Sequence, residues 1–495
     1  MGEYAKNWDL KTKRHVSDSP DETSYMDFIK QKTQLSMEHG FEPLWMPDYL
    51  FDFQKSIVGW GLRHGRGALL EDCGLGKTVQ ELVIAENIVK KTNGNVIIFA
   101  PLAVSYQFVK EGEKFGVDVK RSVDGKPAGK ITVTNYEKLH LFDSNDYKGV
   151  ICDESSRCKH FGGSTQKNVN RFMLKIPYRC LATATPSPND FNELGTSSEM
   201  LGALGYSDML SRFFNQSDNK AYRMNEIKLL RAAKKPGSHY GKLAYRAAQM
   251  IGQWKLKPHA ETAFWKWVCS WARACRMPSD LGFDDNDFKL PEIKQHDHVI
   301  IPAEPPEGML FTPDAFGLNQ ERQERRRTMD ERCELIASLA DTGDYVFIGV
   351  HLNDEGDLIE KLIPGSVQVA GKHTDEQKEE RLLGFQRGEF KVLITKPKIG
   401  AWGMNYQHCN HVITFATHSY EQYYQLIRRC YRFGQKRPVR VDVISTEGEQ
   451  AVRDNMKRKA DAADQMFTNL VRYMNEATWL ESKEYKTQVE VPSWL

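Results

Sequence analysis

The chain has 495 residues, more than one hydrophobic core accommodates, so two or three domains are expected. Hydrophobic residues make up 40% and charged residues 27%, and the net charge is +2, so any site for a polyanion must be a local patch. No apolar run reaches the length of a membrane span, the opening "MGEYAKNWDLKTKRH" lacks a signal peptide's apolar core, and the nine cysteines show no C-x-x-C or zinc spacing; a cytoplasmic protein with free thiols and no membrane partner is expected.

Residues 1–45 read as an N-terminal extension with one helix, Ser24 to Glu38, whose Tyr25, Phe28, Ile29 and Leu35 share a stripe. From 46 to 200, short apolar runs alternate with helical patterns: "GALL", a helix from Lys77 to Lys90, then "NVIIFAP", "KITVTNY", "GVICDE" and "YRCLATATP". Apolar strands that end in polar residues and are separated by helices predict a parallel α/β sheet. Residues 201–320 change character and read as a helical insertion and linker. A basic stretch runs from Lys220 to Arg246, and "ETAFWKWVCSWARACR" predicts a helix packing Phe264, Trp267, Val268 and Trp271 into a core. "MPSDLGFDDNDFKLPEI" reads as an irregular linker, and "QERQERRRTMDER" as a surface helix laced by salt bridges. The α/β alternation returns over 321–447 with "DYVFIGVH", "KVLITKP", "HVITFAT" and "VRVDVIS", followed by a charged helical tail, 448–495.

The chemistry concentrates at three places. "EDCGLGKT" follows the first strand and opens a helix, so Gly74, Leu75 and Gly76 form a turn whose backbone can wrap an anion. Lys77 would then reach the β and γ phosphates of a nucleotide and the Thr78 hydroxyl would bind Mg²⁺. Glu71 stands where the full G-x-x-x-x-G-K-T pattern has its first glycine. "GVICDESS" puts Asp153 and Glu154 at a strand end, one a carboxylate for Mg²⁺, the other a group to polarise an attacking water. "LATATPSPND" adds Thr183 and Thr185 after another strand. The third place is "QLIRRCYRFGQKRP". Read as a helix ending near Gly434, it sets Gln425, Arg429 and Arg432 on one face with Arg428 beside them, either a solvated basic face or a row of cations aimed at an anion.

In this order, over residues 45–447, the motifs resemble the superfamily-two helicase-like ATPases, and within them the Swi/Snf-type double-stranded DNA translocases. The chain looks most like the compact versions carried by bacteriophages and prophages. The resemblance implies two RecA-like parallel-sheet lobes of the P-loop kind, with a helical insertion between them. "GLGKT" matches the family's first motif, where the missing glycine is normal; "FAPLAVSYQF", "TNYEKL", "DESS" and "TATPSPN" (with Asn189) match those that follow. "LFDFQKSIVGW" resembles the element whose glutamine, here Gln54, reads adenine, and "TKPKIGAWGMN" the glycine-rich motif with Gly400, Gly403 and Asn405. The final arginine motif would then face the γ-phosphate with Gln425, Arg429 and Arg432. The family usually has an acid where Arg428 stands, so Arg428 takes no role from the resemblance. A groove for double-stranded DNA is implied, with Ser105, Gln107, Asn135, Lys396 and Lys398 as contacts, and a DNA-processing protein partner would supply any further activity. A helicase unwinding RNA or forked DNA, an ATP-controlled DNA clamp with little turnover, and a scaffold with a vestigial cleft are the other readings.

Overall fold

Thirteen strands build two wholly parallel sheets among the described residues, which in this computed structural model are 8–9, 14–15, 39–122, 124–216, 254–302, 318–400 and 404–484. The first sheet uses β1 (Arg66–Glu71), β2 (Asn95–Ala100), β3 (Val119–Arg121), β4 (Ile131–Asn135), β5 (Tyr147–Asp153), β6 (Tyr178–Ala182) and β7 (Ala272–Cys275). Its order is β7-β1-β6-β5-β2-β4-β3. The second uses β8 (Ile293–Ile300), β9 (Val346–Gly349), β10 (Val367–Val369), β11 (Val392–Thr395), β12 (His411–Phe415) and β13 (Val439–Thr446), in the order β8-β13-β12-β9-β11-β10. Central runs such as "NVIIFA" are buried almost throughout, because helices cover both faces and leave no wet side for alternation. Each sheet therefore has two apolar clusters, one per face.

Seven helices bear on the site and its surroundings: α1 (Asp52–His64), α2 (Lys77–Thr92), α3 (Leu102–Phe115), α4 (Glu261–Cys269), α5 (Asp375–Arg387), α6 (Tyr420–Ile427) and α7 (Gln450–Glu484). In the first sheet β1, β6 and β5 are neighbours, so the phosphate-loop candidate, the two threonines and the acidic pair all emerge side by side at one carboxyl edge. That edge is where parallel α/β sheets bind ligands.

The span 201–320 is not simply a helical insertion. The expected tryptophan helix stops at Cys269, and Ala272–Cys275 turns into a strand that pairs in register with Ala68–Glu71. Helix-favouring Ala and Arg yield there to the open edge of β1, whose main chain would otherwise lack partners. Trp265 and Trp271 are fully buried, and Phe264, Val268 and Trp271 do pack into the core. Likewise Ile293–Ile300 adds an edge strand to the second sheet, where its mostly exposed and polar residues conceal the pattern. The expected helix at 24–38 and the basic stretch at 220–246 lie outside the described residues.

Helix α7 links the halves. Val452 and Met456 near its start sit in the second lobe's core, while Met466, Phe467, Leu470, Tyr473 and Met474 enter the first lobe's core beside α4. At 35 residues it spans about 50 Å, long enough to reach across both lobes.

Candidate active site

The loop after β1 is shaped by two glycines in left-handed backbone, Gly74 at φ 93° and Gly76 at φ 84°. A Cβ at Gly76 would lie 2.3 Å from Gln54 Nε2, and one at Gly74 would lie 2.9 Å from the main-chain nitrogen of Phe433 in the other lobe. Gly76 precedes α2 and no side chain caps its first turn, so the amides there are available to an anion. Lys77 Nζ donates to the carbonyls of Glu71 at 2.9 Å and Asp72 at 3.0 Å, which curls the loop around it. Gln54 is buried, its Nε2 donating to the Leu75 carbonyl at 2.8 Å and its Oε1 accepting from Phe51 N at 3.1 Å. It braces the loop directly.

Asp153 ends β5, and Glu154 follows in left-handed backbone at φ 51°, a strained conformation for a non-glycine residue and one typical of functional turns. Glu154 Oε2 accepts from Thr183 Oγ1 and from Gln425 Nε2, both at 3.4 Å. Burial, followed by the Glu154 charge, pushes Asp153 up to about 7. Burial also raises Glu154, against the pull of Lys77 and Arg429. Two further acids lie behind them. Glu71, held up at about 7 chiefly by burial, accepts from Gln80 Nε2 at 2.8 Å. Glu81 on α2 is fully buried and neither carboxyl oxygen has a partner among the described residues; burial and then the Asp153 charge raise it well above the usual range. Burial alone would lower Lys77, yet the surrounding Cys73, Glu154, Glu71 and Asp153 raise it.

The opposite wall comes from α6 and the turns after it. The helix ends at Ile427, not near Gly434 as the spacing predicts. The Arg429 carbonyl accepts from Tyr406 N at 2.8 Å instead of continuing the helical ladder, and Gly434 turns left-handed at φ 91°. Arg428 consequently leaves the row, while Arg429 and Arg432 stay near enough to repel each other. Arg429 is buried and its Nη2 donates to Gln425 Oε1 at 2.6 Å. Arg432 Nε is buried with no partner among the described residues, and burial, followed by repulsion from Arg429, lowers the group to about 10. Arg428 turns to Asp72 instead. Phe433 packs on Phe288 at 4.8 Å between ring centres and on Phe51 at 6.5 Å.

Glycine cradle, uncapped helix start, lysine, acidic pair and orphaned arginine thus converge on one cleft between the two lobes. These donors fit a nucleoside triphosphate with Mg²⁺. Thr78 and Asp153 are the groups that would hold the metal, which when bound supplies neutralisation of phosphate charge.

Residues 333–434 match the model of the helicase conserved C-terminal domain. Beyond this helicase C-terminal match, the chain is 24% identical over 468 residues to the putative ATP-dependent helicase/translocase YwqA of Bacillus subtilis, covering 84% of this chain and 48% of that protein. It is 20% identical over 514 residues to the transcription regulatory protein SNF2 of Saccharomyces cerevisiae, covering 91% of this chain and 30% of that one. The chain spans about half or less of the length of these curated relatives. Among solved structures, the Sulfolobus solfataricus SWI2/SNF2 ATPase core in complex with dsDNA aligns at 18% identity and a TM-score of 0.38, covering 88% of this chain and 96% of that one.

The second lobe also borders a second cavity of about 620 Å³, between α3 and α5. Gln107, Asn135 and Lys398 line it, with Tyr106, Glu111 and Asp375 beside them. Its wall is mixed in charge. Ser105 does not belong there: it is fully buried and its hydroxyl donates to the Leu102 carbonyl at 2.7 Å, because its position on α3 faces the core. Lys396 is half-buried at the end of β11 and does not line the cavity, and Gly403 lies outside the described residues. Sequence reasoning missed Glu81, Phe433, and the Asp72, Tyr424 and Arg428 group. Only Arg428 carried a signal, as a departure from the family pattern.

No helix among the described residues is long and apolar enough to cross a membrane.

Proposed function

We propose that the chain is an ATP-dependent motor that tracks along double-stranded DNA, hydrolysing ATP between its two lobes. The observation that carries this reading is the contact of Gln425 with Glu154 at 3.4 Å, which ties the arginine wall to the acidic pair across the cleft. On this reading Lys77 and the α2 amides bind the phosphates, Glu154 orients and activates water, and Arg429 with Arg432 neutralise charge on the transferring phosphoryl group. Gln54 supports the loop and meets the adenine edge. Because the groups come from two lobes, hydrolysis depends on closure, and closure shifts whatever the lobes grip. Gln107, Asn135 and Lys398 offer that grip mostly to phosphate, so binding is independent of sequence and weakens with salt. On this reading the motor works in a bacterial cytoplasm, with a DNA-processing protein as its partner.

The test is ATP turnover with duplex DNA, single-stranded DNA and RNA, coupled to displacement of a third strand from a duplex. Duplex is expected to stimulate most. Glu154→Gln is expected to retain ATP binding and lose about 10²–10⁴-fold in turnover, and Arg432→Ala to lose about 10³–10⁵-fold from the other lobe. Normal turnover by Arg432→Ala, or no preference for duplex, contradicts the reading.

A further inference from the structure

Arg428 stands next to the arginines of the cleft but reaches a different target. Its Nη2 donates to Asp72 Oδ2 at 2.6 Å, and the pair is little exposed, with side-chain accessibilities of 16% and 9%. The Tyr424 hydroxyl donates to the other oxygen, Oδ1, of the same carboxylate. The guanidinium is held between two rings, 4.9 Å from Tyr424 and 5.0 Å from Tyr431. Arg428, Tyr424 and Tyr431 belong to the second lobe. Asp72 belongs to the phosphate loop of the first, and its own carbonyl accepts from Lys77 at 3.0 Å. The cation is therefore fixed on its lobe by stacking, and the anion is fixed on the other by the loop.

We infer that Arg428, Tyr424 and Asp72 form a latch that holds the lobes together, making Arg428 a positioning residue that brings Arg429 and Arg432 to the phosphate loop. The inference rests on the reading above for its effect on turnover, but the latch itself is a contact between lobes and has its own readout. Arginine suits the role, because its planar guanidinium pairs with a carboxylate while lying against aromatic rings, which a lysine ammonium does less well. An acid at this position would face Asp72 and repel it. A protein whose binding-competent state is only partly populated shows an apparent dissociation constant raised by that fraction. Loss of the latch should consequently weaken ATP binding while leaving the rate at saturation nearly intact.

The experiment is a double-mutant cycle of Arg428→Met and Asp72→Asn in the full chain, with Arg428→Lys and Tyr424→Phe as milder variants. Small-angle scattering without nucleotide reads closure, binding of a fluorescent ATP analogue reads affinity, and ATP turnover gives KM and kcat separately. Each of the first two variants is expected to increase the radius of gyration and to raise KM and the analogue Kd by about tenfold, the size of one charge-assisted hydrogen bond. The kcat of Arg428→Met should change less than about twofold. The double variant should match the worse single variant, and Arg428→Lys should recover part of the loss. Additive effects, or wild-type scattering and affinity in Arg428→Met, overturn the latch. If Arg428→Met does not fold, Tyr424→Phe and Arg428→Lys must still raise Kd by a few-fold, and unchanged values there overturn it equally. Coupled changes in scattering and affinity without any turnover would leave the latch standing and remove the motor; duplex-stimulated turnover without coupling would do the reverse.

Discussion

At the end of β1, Glu71 occupies the position where the full phosphate-loop pattern has a glycine, and its carboxyl is fully buried against Gln80. Its value of about 7 in the fold lies above the ordinary 4.5, so the folded chain binds that proton more tightly than the unfolded chain. The resulting stabilisation is complete below the unfolded value and disappears as pH rises through the folded one. Glu71→Gln keeps an acceptor for Gln80 without the titration. It is expected to stabilise the nucleotide-free protein at about pH 8 by up to about 3 kcal/mol and to change little near pH 4.5, read by urea unfolding at both values. An equal shift at both would show that the carboxyl does not titrate there. The strand ends that carry Gly74, Gly76, Lys77, Asp153 and Glu154 were legible because each depends on a few neighbouring residues. Ser105 is buried because exposure is not a local property: the same motif presents Gln107 to the cavity and turns Ser105 into the core.

The strands β7 and β8 were not legible, though both sheets were. Each adds to an edge, and an edge strand needs a partner's free main chain more than it needs a pattern of its own. β8 is secured by Asp442 on β13, whose carboxylate accepts from His298 on β8 at 2.7 Å, from His411 on β12 at 2.7 Å and from Arg440 Nε at 2.7 Å. Burial pushes Asp442 upward, but these donors outweigh it and hold the group well below the ordinary carboxylate range. Its contribution is present above the usual aspartate value and is lost as pH falls through the lowered one. Asp442→Asn is expected to cost about 3 kcal/mol at neutral pH by removing the buried charge on which three donors converge, with the deficit shrinking only in strong acid. Denaturant titration across pH tests this, and a deficit that persists unchanged at about pH 2 counts against it. A similar lesson comes from Arg332. The basic run before β9 reads as a surface helix, yet Arg332 is fully buried and paired with Glu355 at 3.0 Å.

For the whole molecule, the mixed charge of the cavity between α3 and α5 matters more than the net charge of +2. A duplex held there by few cations should show a shallow salt dependence, since each neutralised phosphate contributes about 0.9 to the slope of log K against log salt. Lys398 is exposed on that wall and is the residue of the predicted set best placed to meet phosphate. Lys398→Ala is expected to weaken duplex binding about equally for all sequences and to reduce the slope by about one. Fluorescence anisotropy over a range of salt concentrations checks this, and an unchanged slope would move the DNA path elsewhere. Helix α7 adds a second tie between the lobes, where Lys459 Nζ donates to Asn189 Oδ1 and to the His418 carbonyl, both at 2.7 Å.

From the amino-acid order alone came the parallel α/β class, the glycine loop, the acidic pair and the presence of an arginine-rich segment, because strand periodicity and short motifs are governed by interactions within a few residues. The folded chain alone decided which arginine faces which acid. Arg428 and Asp72 are separated by 356 positions, and their meeting depends on how two sheets and a long helix pack. Local chemistry makes each charge available, but only tertiary packing removes the water between them.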